Sequence, residues 1–183
     1  MNVAESDIQT RCARIAELLI AGKRRVVFAE SCTAGLVSAL LARIPGISSY
    51  LCGSAVTYRE ATKVGWLDIP PAILEQHTAV SEVVTKLMAS GVLAKTPEAD
   101  VAAAVTGHLG PNAPPEQDGL VYVAIAVWSP DREDVVTARV AEYRLAGEDR
   151  LSRQREAAAR VLECLLETLQ ADPWRSAQEA ERG

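Results

Sequence analysis

Four side chains between residues 30 and 63 have types and spacing suited to acyl transfer without histidine: Ser31, Ser48, Tyr58 and Lys63. Serine is a poor nucleophile until a base removes its proton. Lysine serves as that base only if its pKa falls from about 10.4 toward 7, a change of roughly 4 kcal/mol that burial and a neighbouring cation can supply. Lys63 lies one helical turn beyond Tyr58, which is placed to relay the proton. The bland alternative is a solvated helix lysine, because lysine is rarely buried. The turn Ser31-Cys32-Thr33-Ala34-Gly35 opens a helix. Free N–H groups and the dipole at such a start suit an anionic substrate, with Ser31 and Thr33 adding hydroxyls. The same turn equally suits simple N-capping.

These residues need elements to position them. Ile8, Cys12, Ile15, Leu18 and Leu19 recur at helical spacing, predicting a helix over 8–21 that Gly22 stops. Residues 26–29 form a continuous apolar run, as in a strand buried on both faces. The turn at 31–35 then opens a second helix to about residue 43. Residues 48–52 are ambiguous; Gly53 is expected to break the chain before a strand over 54–58 and a helix over 60–66. A short helix should follow Pro70-Pro71, and Ser81 reads as the N-cap of a helix reaching about residue 94. Residues 101–105 read as a third buried strand ending in Thr106-Gly107. Three prolines and three glycines make 107–119 a loop. Strands over 120–128 and 135–143 flank Pro130-Asp131 and predict an antiparallel hairpin. Residues 151–169 read as an amphipathic helix with Ala158, Val161, Leu162, Leu165, Leu166 and Leu169 facing inward. The expected fold is an α/β three-layer α/β/α sandwich with a mixed sheet, its early strands parallel and its late hairpin antiparallel. Residues 1–172 are expected to form a single domain and 173–183 a disordered tail.

In open α/β sheets, ligands bind beyond the carboxyl ends of the strands. The turns at Glu30-Ser31-Cys32-Thr33, Tyr58-Arg59-Glu60 and Thr106-Gly107-His108 would then share one rim. Ser31 follows the first strand and Tyr58 ends the second, so parallel pairing places both there. Ser48 precedes the second strand, which alone separates it from Tyr58 by about 17 Å. It returns only if the segment 46–53 folds over the rim or a partner subunit supplies it. Ser31 is the favoured nucleophile and Ser48 the second choice.

Composition narrows the classes. The 183 residues carry a net charge of −5, with 49% hydrophobic and only 4% aromatic residues, so the core must be built from Ala, Val, Leu and Ile. Lys23-Arg24-Arg25 is the one tight basic run and reads as a solvated turn, which argues against a nucleic-acid partner. The four cysteines form no C-x-x-C pair and there are two histidines, so no metal site or cofactor is expected. His77 and His108 read as structural and surface residues, and Trp66 and Trp128 as core or interface. Free thiols fit a reducing compartment. With no basic-then-apolar leader and no apolar run near 20 residues, the expectation is a cytoplasmic protein with no membrane partner. The dinucleotide, P-loop, zincin and nucleophile-elbow motifs are all absent from the sequence.

Ala29-Glu30-Ser31-Cys32-Thr33-Ala34-Gly35-Leu36-Val37 resembles the A-E-S-C-T-G-G-L-V segment of the CinA C-terminal domain family. Pro45-Gly46-Ile47-Ser48 resembles that family's P-G-S-S, and the run from Val56 to Lys63 its V-T-Y-S-N-E-A-K, matching at Tyr58 and Lys63. His77-Thr78-Ala79-Val80-Ser81-Glu82 is similar to H-G-A-V-S-E, and Ala104-Val105-Thr106-Gly107 with Gly110-Pro111 to A-V-T-G-I-A-G-P. The family includes nicotinamide-nucleotide amidases, or NMN deamidases, which convert nicotinamide mononucleotide to nicotinic acid mononucleotide and ammonia. The resemblance implies a metal-free serine–lysine centre with a tyrosine, a small nucleotide substrate, and a homodimer or larger homo-oligomer. Residue by residue it makes Ser31, Tyr58 and Lys63 catalytic candidates, and Thr33, Gly35, Thr106 and Gly107 ligand contacts. It also makes Arg153 a candidate to hold the substrate phosphate. The chain departs from the family pattern at Ala34, at His108-Leu109 and Asn112-Ala113, and at Gly147-Glu148-Asp149-Arg150, where the arginine of G-D-R is shifted by one. It is expected to be a stand-alone, divergent member. The alternatives are a non-catalytic nucleotide-binding module and an amidase of the same mechanism acting on another small amide.

Overall fold

The computed structural model describes residues 4–174. Five strands form one sheet in the order β2-β1-β3-β4-β5. β1 (Val26–Glu30) lies between β2 (Leu51–Val56) and β3 (Val101–Gly107), parallel to both. β4 (Leu120–Trp128) runs antiparallel to β3, and β5 (Val135–Arg144) antiparallel to β4. The expected mixed sheet and late hairpin are therefore present.

The two faces of the sheet bury different side chains, as alternation along a strand requires. On one face Val26, Phe28, Val105, Val123 and Ile125 pack under α1 (Glu5–Gly22), α2 (Leu36–Leu41) and α6 (Arg150–Ala171). On the other, Ala29, Ala102, Ala104, Ala124 and Ala126 present a shallow surface. That surface is covered by α3 (Glu60–Leu67), α4 (Pro71–His77) and α5 (Glu82–Ala94). Alanines here let α5 approach closely, and Gly91 goes further: a Cβ there would collide with the Leu67 carbonyl. This is the three-layer sandwich. No helix among the described residues is long and apolar enough to cross a membrane.

The bounds of β2 differ from the sequence reading. β2 begins before Gly53 rather than after it and ends at Val56, leaving Thr57 and Tyr58 in the turn. Gly53 has φ +143°, and the β1/β2 register shifts between Val26 and Val27, so the glycine is absorbed as an irregularity within an edge strand. The ambiguous stretch is a 3-10 turn at Ile47–Ser49. Ser81 caps α5 as expected, its Oγ accepting the Val84 N–H at 3.3 Å. α6 starts in a capping box between Asp149 and Ser152. Of the expected tail, Trp174 packs beneath the Arg24 guanidinium, 4.5 Å from the ring centre, and 175–183 lie outside the described residues.

Candidate active site

The parallel register carries Glu30, Val56 and Val105 to one end of the sheet, so the residues that follow them share a rim. Ser31, Tyr58, Lys63, Thr106 and Gly107 all line one cleft there, of about 250 Å³, closed on its far side by residues 108–113 and by Arg150. This is the convergence expected of parallel strands.

At its base Lys63 Nζ donates to Ser31 Oγ at 2.9 Å and to the Thr57 carbonyl at 2.6 Å. The lysine reaches them because α3 begins two residues after Tyr58 and turns its stem into the space beside the sheet. Lys63 is 1% exposed and Ser31 8%. Burial disfavours the ammonium and lowers the Lys63 pKa from 10.5 to about 8. The solvated-lysine alternative is thereby excluded. Cys32, beside Ser31, is no rival nucleophile: burial pushes its thiol up to about 12.

The helix start does not match the sequence expectation. Its N–H groups are already taken by an internal anion. Glu30, 1% exposed, accepts from the Gly35 and Val37 N–H groups through Oε2, each at 3.0 Å, and from Ser38 N–H and Ser54 Oγ through Oε1, each at 3.0 Å. An ionised carboxylate ending an apolar strand must find such partners or remain prohibitively desolvated. Gly35, at φ +94°, is the αL residue that aims these amides at Glu30. Thr33 Oγ1 is buried with no partner among the described residues, and the Thr33 carbonyl accepts from Gln154 Nε2 at 3.0 Å. Neither Thr33 nor Gly35 lines the cleft. In the turn, Ser31 N–H donates to the Val105 carbonyl and Ala34 N–H to the Ser31 carbonyl, both at 3.0 Å. Among the described residues the Cys32 amide meets only its own sulfur, and the Thr33 amide donates to no backbone acceptor.

Other candidates separate. Ser48 is exposed and sits in the 3-10 turn before β2, at the opposite end of the sheet from Ser31. The segment around it does not fold over the rim. Tyr58 is on the rim and 51% exposed, but its hydroxyl accepts from Arg150 Nη2 at 2.6 Å rather than bonding to Ser31 or Lys63. Thr106 Oγ1 donates to the Ala79 carbonyl at 2.9 Å, tying the α4–α5 connection to the rim. Gly107 lines the cleft, and a Cβ there would collide with Val121. Arg153 does not reach the cleft. It grips Asp118 through Nη1 and Nη2 at 2.7 and 2.8 Å and the Gly147 carbonyl through Nε at 2.8 Å, bracing the 107–119 loop.

The arginine that does face the cleft is Arg150. The sequence reading marked it only as a displaced motif residue, and position N1 of α6 puts it on the rim despite the shift. Glu30 carried a readable signal too, as a carboxylate ending a wholly apolar strand. Nothing in the sequence announced the Thr57 carbonyl or Gln154. Among the described residues no three His, Cys, Asp or Glu side chains gather as a metal ion would require.

The site and fold together define an α/β domain built around a buried serine–lysine pair. The profile of the CinA C-terminal domain matches residues 8–169, and the chain belongs to that family. A CinA-like protein of Mycobacterium marinum is 43% identical over 112 residues, which is 61% of this chain and 26% of that protein. One from Mycobacterium avium is 42% identical over 132 residues, 69% of this chain and 30% of that protein. The chain thus spans well under half the length of these curated relatives. Among solved structures, the competence/damage inducible protein CihA of Agrobacterium tumefaciens superposes with a TM-score of 0.81 at 29% identity, covering 92% of this chain and 99% of that one. The competence damage-inducible protein A of Klebsiella pneumoniae gives 0.80 at 30% identity, covering 89% and 97%.

Proposed function

We propose that the chain is an amidohydrolase that deamidates nicotinamide mononucleotide, or a close relative of it, to the carboxylic acid and ammonia. The observation that carries this reading is Lys63 Nζ, buried and 2.9 Å from Ser31 Oγ, with its pKa lowered to about 8. Such a lysine is partly neutral near neutral pH and can accept the serine proton. Ser31 Oγ attacks the carboxamide carbon while its proton passes to Lys63. The tetrahedral oxyanion lies against the amide of Cys32, the residue beside Ser31 that lines the cleft. Collapse breaks the C–N bond, Lys63 returns the proton to the leaving nitrogen, and ammonia departs. Water, deprotonated by Lys63, then cleaves the ester and releases the acid and free Ser31. Arg150, not Arg153, is the cation available to a substrate phosphate.

Incubation with nicotinamide mononucleotide, with ammonia and nicotinic acid mononucleotide quantified, tests this. Both products should appear together and at equal rates. No release by the wild type, or undiminished release by Ser31→Ala and Lys63→Ala, rejects the assignment. The cleft volume of about 250 Å³ also favours a second reading, the same chemistry on a smaller amide, because it lies below the usual range for drug-sized ligands. A panel of nucleotide and non-nucleotide amides separates the two.

A further inference from the structure

Arg150 stands in an unusual position between the rim loops. Its Nη1 donates to the Gly110 carbonyl and its Nη2 to Tyr58 Oη, both at 2.6 Å. One guanidinium therefore bridges the turn after β2 and the loop after β3, across the cleft that holds Ser31 and Lys63. Both acceptors are uncharged. Among the described residues Arg150 pairs with no carboxylate, whereas Arg153, one turn along the same helix, is held by Asp118. Arg150 is also exposed at the mouth of the cleft, where an arriving ligand meets it first.

We propose that Arg150 is an anion-sensing positioning residue that couples recognition of an oxyanion on the substrate to the placement of Tyr58. The inference rests on the Ser31–Lys63 reading and adds a coupling to it: the oxyanion of the substrate, by engaging Arg150, sets the position of Tyr58. A guanidinium prefers a bidentate oxyanion to a phenol and a carbonyl, because its planar fork matches two parallel N–H···O bonds and the opposite charges add their attraction. A substrate oxyanion therefore takes Arg150 away from Tyr58 Oη. The released hydroxyl can then bond at the Ser31–Lys63 centre, to which it makes no hydrogen bond while Arg150 holds it. Binding energy from a remote group is thus spent at the reacting atoms, so substrates lacking the anion lose turnover and not affinity alone.

The test uses a neutral serine reagent and supplies the anion separately. Phenylmethanesulfonyl fluoride forms a bond from Ser31 Oγ to sulfur, expels fluoride and leaves the serine proton with Lys63. Its rate of Ser31 modification, followed by peptide mass, is measured with inorganic phosphite or with chloride at equal ionic strength. In the wild type phosphite should raise the rate about tenfold, the worth of one hydrogen bond to a charged group. In Arg150→Ala and in Tyr58→Phe the phosphite effect should vanish, with melting temperatures confirming that both variants are folded. A merely structural role for Arg150 would slow the reaction equally with either salt. An unchanged wild-type rate, or acceleration that persists in Arg150→Ala, overturns the proposal. Failure of Ser31 to react at all in folded wild-type protein overturns the underlying Ser31–Lys63 reading and the coupling with it.

Discussion

Replacing Lys63 with methionine keeps the buried aliphatic stem and removes the titrating nitrogen. Burial lowers the Lys63 pKa from 10.5 to about 8, so between those values the unfolded chain binds more protons than the folded one. Stability must then rise with pH across that window, and below pH 8 the folded state bears the whole penalty, about 3 kcal/mol. Linkage puts the remaining penalty near pH 9 at about 2 kcal/mol, so roughly 1 kcal/mol is recovered between pH 7 and 9. The methionine variant has no such dependence. It does lose the bonds to the Thr57 carbonyl and Ser31 Oγ, whose pH dependence is already contained in the Lys63 pKa. Urea unfolding of both proteins at the two pH values should show the wild type gaining roughly 1 kcal/mol on the variant. All other titrating groups are common to both proteins and cancel in the difference. A stability difference that stays constant with pH would mean that Lys63 keeps an ordinary pKa, and would remove the basis for its acting as a neutral base.

Four further outcomes are expected. For the proposed amidase reaction kcat/KM should rise with pH and level off above an apparent pKa of about 8, as neutral Lys63 accumulates; a profile falling across that range contradicts the base assignment. Ala34 holds φ +53°, so Ala34→Gly should stabilise the fold by about 1 kcal/mol in urea unfolding. Glu30→Gln turns an amide N–H₂ toward backbone donors and should destabilise by about 3 kcal/mol, readable as an earlier thermal transition. Gly107→Ala forces a Cβ into Val121 and should cost about 2–3 kcal/mol, with loss of activity following from displacement of the rim.

The layer order and the convergence of Ser31 with Lys63 were legible because they follow from short-range rules. Continuous apolar runs mark strands buried on both faces, and parallel strands bring their carboxyl ends together. Lys63 falls one turn into α3, which starts two residues after Tyr58. What was not legible depends on long-range partners. Arg153 and Arg150 lie three residues apart on the same helix, and only the position of Asp118 decides that the first braces a loop while the second faces the cleft. The helix start looked open to an external anion because the four donors gathered on Glu30 come from residues 35–54, a set that no local pattern announces. Strand β2 was misplaced because a glycine that breaks most strands is accommodated at a sheet edge by a register irregularity.

Ser31 and Ser48 lie at opposite ends of the sheet, so substituting each in turn separates the two possible nucleophiles most directly. Ammonia release from nicotinamide mononucleotide is measured for Ser31→Ala and Ser48→Ala, each verified as folded. Ser31→Ala should lose on the order of 10³-fold or more in kcat, while Ser48→Ala stays within about threefold of wild type. The reverse pattern, or full activity in Ser31→Ala, would contradict the assignment of Ser31 and Lys63 as the reacting pair.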